Sequence, residues 1–175
     1  MIKKRHRSLK WIITSFVIFS LLTGCGGYED LDPAEKVGVD YVIEMYTSSK
    51  RDLTHLSQLT GRNKSKEGIA HIKPFLKTTG TVWVGSSPTS NKEKRAVYVY
   101  FSPEISSSSV IKGVYVEQRG KNWIYAGDIA LKPFPHEPFE KAQEQSSIKK
   151  LSVDEWEKVE VTKEKKSHQQ NHESD

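Results

Sequence analysis

The chain has 175 residues, with 27 Lys and Arg against 22 Asp and Glu, a single cysteine and 35% hydrophobic residues. One cysteine excludes an internal disulfide framework and a cysteine-rich metal cluster, so the fold rests on an ordinary hydrophobic core, and the length suits one domain with flanking segments. The basic excess comes from Lys3, Lys4, Arg5, Arg7 and Lys10; beyond residue 24 basic and acidic side chains are equal in number, which removes the main support for nucleic-acid binding.

Residues 1–24 read as a secretory leader: five bases without an acid, an apolar run from Trp11 to Leu22, and small residues before Cys25. The apolar run is 12 residues long, short of the roughly 20 that span a bilayer as a helix, which argues against a lasting transmembrane anchor. The stretch Leu22-Thr23-Gly24-Cys25 resembles the lipobox of bacterial lipoproteins. That resemblance implies cleavage before Cys25 and diacylglycerol on its thiol, which would hold the chain on the extracytoplasmic face of the cell membrane. An ordinary cleaved signal and a buried structural thiol are the alternatives. Lipidation would remove the only thiol and with it any thiolate chemistry or cysteine ligand. The leader and the tail are similar in style to those of Gram-positive lipoproteins.

Residues 25–31 read as a short tether. Asp32-Pro33-Ala34-Glu35 is a helix start, with an N-cap, a proline at the first helical position and an acid at the third. The spacing predicts a helix from Ala34 to Ser48 with Val37, Tyr41 and Met45 on one face, weakened slightly by Gly38. A second helix is predicted by Leu53, Leu56 and Leu59, after Asp52 and ending at Gly61; a third by Ile69, Ile72 and Phe75, with Gly68 and Pro74 against it. Four strands follow, Val82 to Gly85, Ala96 to Ser102, Val110 to Glu117 and Trp123 to Ile129, all rich in Val, Ile, Tyr and Trp. Val97, Val99 and Phe101 share one face of their strand and Tyr98 and Tyr100 the other, so both sheet faces carry apolar groups. Arg119-Gly120-Lys121-Asn122 reads as a tight hairpin turn. Helices followed by antiparallel hairpins define an α+β domain, here with N-terminal helices on a curved antiparallel sheet of about four strands.

Three prolines, Pro133, Pro135 and Pro138, set the expected end of the domain near Lys132, giving a domain over 32–132. An extension over 133–161 is ambiguous: Ser152-Val153-Asp154-Glu155 caps a short helix in one reading, and Trp156 to Val161 is a charged edge strand in the other. Trp156 either docks on the domain or anchors a partner. Residues 162–175 contain no apolar side chain and are predicted to be a disordered polar tail.

The opening helix, the Leu53-Thr54-His55-Leu56 helix and the ending Gly120-Lys121-Asn122-Trp123-Ile124-Tyr125 resemble the NTF2-like superfamily, over about 32–132. The resemblance implies helices packed into the hollow of a strongly curved sheet, a cone that houses ligands or enzymes in some members and neither in others. For that hollow the candidate pocket residues are Tyr98, Tyr100, Trp123 and Asp128, with His71 and Asp40 as further polar candidates. Each has a plainer reading: Asp128 faces solvent near a strand end, His71 is a surface histidine, and Asp40 and Tyr41 point to different helix faces. Gly85-Ser86-Ser87-Pro88 lacks the lysine of a phosphate loop, and Ser106 to Ser109 is a polar loop without a nucleophile's elbow. His168 and His172 lie four apart in a polar tail, a poor metal site.

No catalytic, cofactor-binding or metal-binding set is therefore assigned. The leading expectation is a non-enzymatic lipoprotein that meets a protein partner of the cell envelope. The runner-up is small-molecule binding or sensing in the cone, and an enzyme comes third.

Overall fold

The order of the elements follows from where the chain can start and stop a helix. The computed structural model describes residues 27–47, 51–77, 79–106 and 110–162. The leader, Cys25, Ser107 to Ser109 and the histidines of the tail lie outside the described residues. After a single turn at Tyr28–Asp30, helix α1 runs over Pro33–Tyr46. The Asp32 carboxylate accepts from the amides of Ala34 (2.7 Å) and Glu35 (3.0 Å), and the Glu35 carboxylate accepts from the Asp32 amide (3.2 Å), closing a capping box. Helix α2, Leu53–Thr60, is capped by Asp52 and stopped by Gly61 at φ 60°. The third predicted helix shrinks to one turn, α3 at Lys66–Ile69. Arg51 accounts for its early end: its guanidinium donates to the carbonyls of Met45 (2.8 Å), Ile69 (3.1 Å) and Ile72 (2.6 Å), drawing the chain after α3 onto the end of α1.

Five strands form one antiparallel sheet: β1 (Thr79–Pro88), β2 (Lys94–Phe101), β3 (Ile111–Arg119), β4 (Asn122–Ile129) and β5 (Glu157–Thr162), in the order β4-β3-β2-β1-β5. The class is α+β, as expected. The predicted hairpin closes with Arg119 opposite Asn122 and Gly120 at φ 62°, a glycine-first two-residue turn suited to strand twist. The strand count and the domain limit need correction. The chain does not leave the domain at Lys132; it crosses the sheet, forms the short turns α4 (Phe139–Ala142) and α5 (Ser146–Lys149), and returns as β5 on the free edge of β1. Of the two readings left open for the last segment, the strand is the observed one. Val159 and Val161 are buried while Lys158 and Glu160 are exposed, a period of two that suits an edge strand.

Each face of the sheet has its own core. On the helix face Val82, Val84, Val97, Val99, Phe101 and Val116 pack beneath Val39, Val42, Met45 and Leu56. On the other face Ala96, Tyr98, Tyr100 and Ile111 pack beneath Phe139, Ala142 and Ile148. Gly38 sets the spacing of the first layer, since a Cβ there would lie 2.6 Å from Val97 Cγ1.

Candidate functional site

The face holding Tyr98 and Tyr100 is closed by the chain itself. Phe139 is 2% exposed and stacks on Trp83, with ring centroids 4.8 Å apart and planes 20° apart; Tyr100 and Trp156 approach its other sides at 5.2 Å each. The Tyr100 hydroxyl donates to the Glu137 carbonyl (2.7 Å), so its polar end is satisfied by the same segment that covers its ring. Gly85 makes the close approach possible: a Cβ would fall 2.4 Å from Val153 Cγ1 and 2.9 Å from the Glu155 carbonyl oxygen. Trp156 thus docks on the domain. Gly85-Ser86-Ser87-Pro88 is the end of strand β1, with Ser87 buried and hydrogen-bonded to Tyr98.

The four predicted pocket residues do not converge. Tyr98 and Tyr100 lie under the strap formed by residues 134–156, whereas Trp123 packs on the helix-face core and Asp128 stands opposite Val114 on that same face. Alternation with Tyr125 puts Trp123 there, and a β-bulge accounts for Asp128. Tyr115 pairs with Gly127 and Val116 with Tyr125, leaving Ala126 without an opposite number, and this extra residue moves Asp128 onto the side of Tyr125. His71 is exposed beyond α3, and Asp40 accepts from the Tyr28 hydroxyl at 2.7 Å.

What Asp128 does join is a tyrosine array. Tyr41 on α1 stacks on Tyr125 with centroids 3.7 Å and planes 16° apart. The Tyr41 hydroxyl donates to Tyr125, whose own hydroxyl donates to the exposed Asp128 carboxylate. Burial, together with the neighbouring Asp128 charge, pushes the Tyr125 phenol up to about 12 and raises those of Tyr41 and Tyr46. These phenols stay protonated at neutral pH, and those of Tyr41 and Tyr125 act as hydrogen-bond donors. Close by, the Lys112 ammonium lies over the Tyr46 ring at 4.6 Å and the Phe75 ring at 5.4 Å. The spacing of Asp40 and Tyr41 in the sequence carries no signal for this array, because Tyr125 reaches Tyr41 only through tertiary packing.

A separate cleft opens at one end of the sheet, with a volume of about 380 Å³. It is lined by Val110, by Ile111 to Gly113 of β3, by Ile129 at the end of β4, and by residues 131–134 and 136. Its cause is the uneven ends of the ladder: β3 pairs with β2 as far as Ile111, but with β4 only as far as Gly113 opposite Ile129. Beyond Ile129 the chain peels away, and Pro133 and Pro135 keep it from resuming the ladder.

Among the described residues no group of three or more His, Cys, Asp or Glu side chains converges as a metal site, and no helix is long and apolar enough to cross a membrane. Comparison with protein-family models, with curated proteins and with solved structures finds no match for this chain.

Proposed function

We propose that the chain is a lipoprotein held on the extracytoplasmic face of the cell membrane through diacylglycerol on Cys25, and that its domain is a non-enzymatic interaction module for a protein partner of the envelope. The observation that carries the second half is the filled aromatic face. A carrier or enzyme using Tyr98 and Tyr100 needs that face open, and Phe139, stacked on Trp83, occupies it. A domain plugged on one sheet face and covered by helices on the other meets its surroundings through its edges and rim. The helices-first order and the closing hairpin at Gly120-Lys121 support an NTF2-like architecture as the finer description of the α+β fold, with the strap and β5 as additions to it.

The test is crosslinking in native cells followed by affinity capture, comparing the intact chain with Cys25→Ala and with a chain ending after Thr162. A specific envelope partner captured by the intact chain and lost with Cys25→Ala is the expected result. Abundant membrane-bound protein with no reproducible partner would overturn the interaction reading. A second reading, small-molecule binding, is favoured by one observation, the cleft of about 380 Å³ beyond Ile129, which lies within the size range of ligand sites.

A further inference from the structure

We infer that this cleft binds a single anionic amphiphile, a molecule with an apolar tail and a carboxylate or phosphate head. The inference rests on the small-molecule reading and names its ligand chemistry; its failure would leave the interaction reading standing. Val110, Ile111, Ile129, Leu131, Pro133 and Phe134 give it an apolar part, which shares the lining with the polar atoms of Lys112, Gly113, Lys132 and His136. Ile129, Leu131 and Phe134 are only half-buried although they lean on the strap-face core, so apolar surface remains for a tail to cover.

The polar side chains of the lining all favour an anion. Among the described residues no Asp or Glu lines the cleft, whereas Lys112, Lys132 and His136 do. Lys112 is committed elsewhere, its ammonium lying over the rings of Tyr46 and Phe75, so it contributes its stem and backbone. Lys132 and His136 are exposed at the rim, where an ammonium and a ring N–H would meet the head of a ligand whose tail lies on Ile129 and Leu131. The acid next along the chain, Glu137, is held by the strap: its carboxylate accepts from Gln145 Nε2 at 2.9 Å and its carbonyl from Tyr100. The bond from Gln145 turns the carboxylate toward the strap, and Lys132 supplies the rim's positive charge. With Pro133 and Pro135 lacking amide hydrogens, the rim discriminates by side-chain charge more than by backbone donors.

The experiment uses the chain from residue 26 onward, which contains every described residue of the fold. It is titrated, with NMR detection, against decanoate below its micellar concentration, decanol, decyltrimethylammonium and inorganic phosphate, each alone. Expected are saturable shifts centred on Ile111, Ile129 and Leu131 with decanoate, weaker ones with decanol, and none with the cation. Lys132→Glu combined with His136→Ala, both at exposed positions, should weaken decanoate about fivefold to tenfold and leave decanol unchanged. Equal decanoate affinity in the variant, or shifts elsewhere, would overturn the inference. Vesicles with and without phosphatidylglycerol form the second arm: binding to anionic vesicles without cleft shifts in monomeric decanoate would assign the charge to a membrane surface and overturn the cleft as a ligand site.

Discussion

Gly38 weakens α1 as a helix and is nevertheless what lets it settle on the sheet. Alanine in its place would gain about 1 kcal/mol of helix propensity, yet its Cβ would meet Val97 Cγ1 at 2.6 Å and Val97 Cβ at 2.8 Å, and the latter is fixed to the backbone. Gly38→Ala should therefore destabilise the domain by about 1–3 kcal/mol net, read as a lower urea midpoint; a raised midpoint would contradict this packing. Glu157 presents the opposite problem, a charge in poor company. One carboxylate oxygen is buried without a hydrogen-bond partner among the described residues, and burial followed by the charges of Glu35, Glu155, Asp30 and Asp32 raises its pKa. A carboxyl whose folded pKa exceeds its unfolded value binds more protons in the folded state. Its contribution is full below the ordinary carboxylate range and is lost as pH rises through the raised value. Glu157→Gln should thus raise Tm at pH 7, by up to about 3 °C after solvent screening, with the difference vanishing in acid. An equal or lower Tm at pH 7 would refute it.

Local signals were the ones the sequence made legible. Asp32-Pro33-Ala34-Glu35 starts α1, Asp52 and Gly61 bracket α2, and Gly120-Lys121 turns the hairpin, because each depends on neighbours within a few residues. The third helix was overestimated because its arbiter, Arg51, acts from 18 and 21 residues away. Lysine has one point charge and cannot reproduce that fork. Arg51→Lys should cost about 2 kcal/mol and speed amide exchange in residues 69–77; unchanged exchange there would remove Arg51 from its proposed role. The fifth strand was missed as a firm element because its pairing, such as Thr81 with Glu160, spans 79 residues, and only its alternating valines hinted at it. For the candidate site, alternation within β2 correctly separated Tyr98 and Tyr100 from Val97 and Val99. It carried no information on what covers them, and the bulge at Ala126 reversed the side on which Asp128 lies.

The whole molecule is a sheet closed on both faces by its own chain, and this changes what truncation can test. A chain ending at Lys132 would uncover Trp83, Tyr98 and Tyr100 and strip β5 from β1, so it should lose cooperative thermal unfolding, whereas a chain ending after Thr162 should keep it. Cooperative folding of the shorter chain would mean that the strap is an accessory. The closed faces leave the rim and the cleft beyond Ile129 as the accessible surfaces of the described sheet. The proposed interaction at the membrane requires a tether at the N-terminal side, close to the Tyr28–Asp30 turn against which β5 lies. The most direct measurement is therefore mass spectrometry of the N-terminal peptide of the protein isolated from native membranes. Membrane tethering predicts a peptide that begins at Cys25 with diacylglycerol on its sulfur. A peptide beginning elsewhere, or a free Cys25 thiol, would contradict the membrane-tethered interaction module.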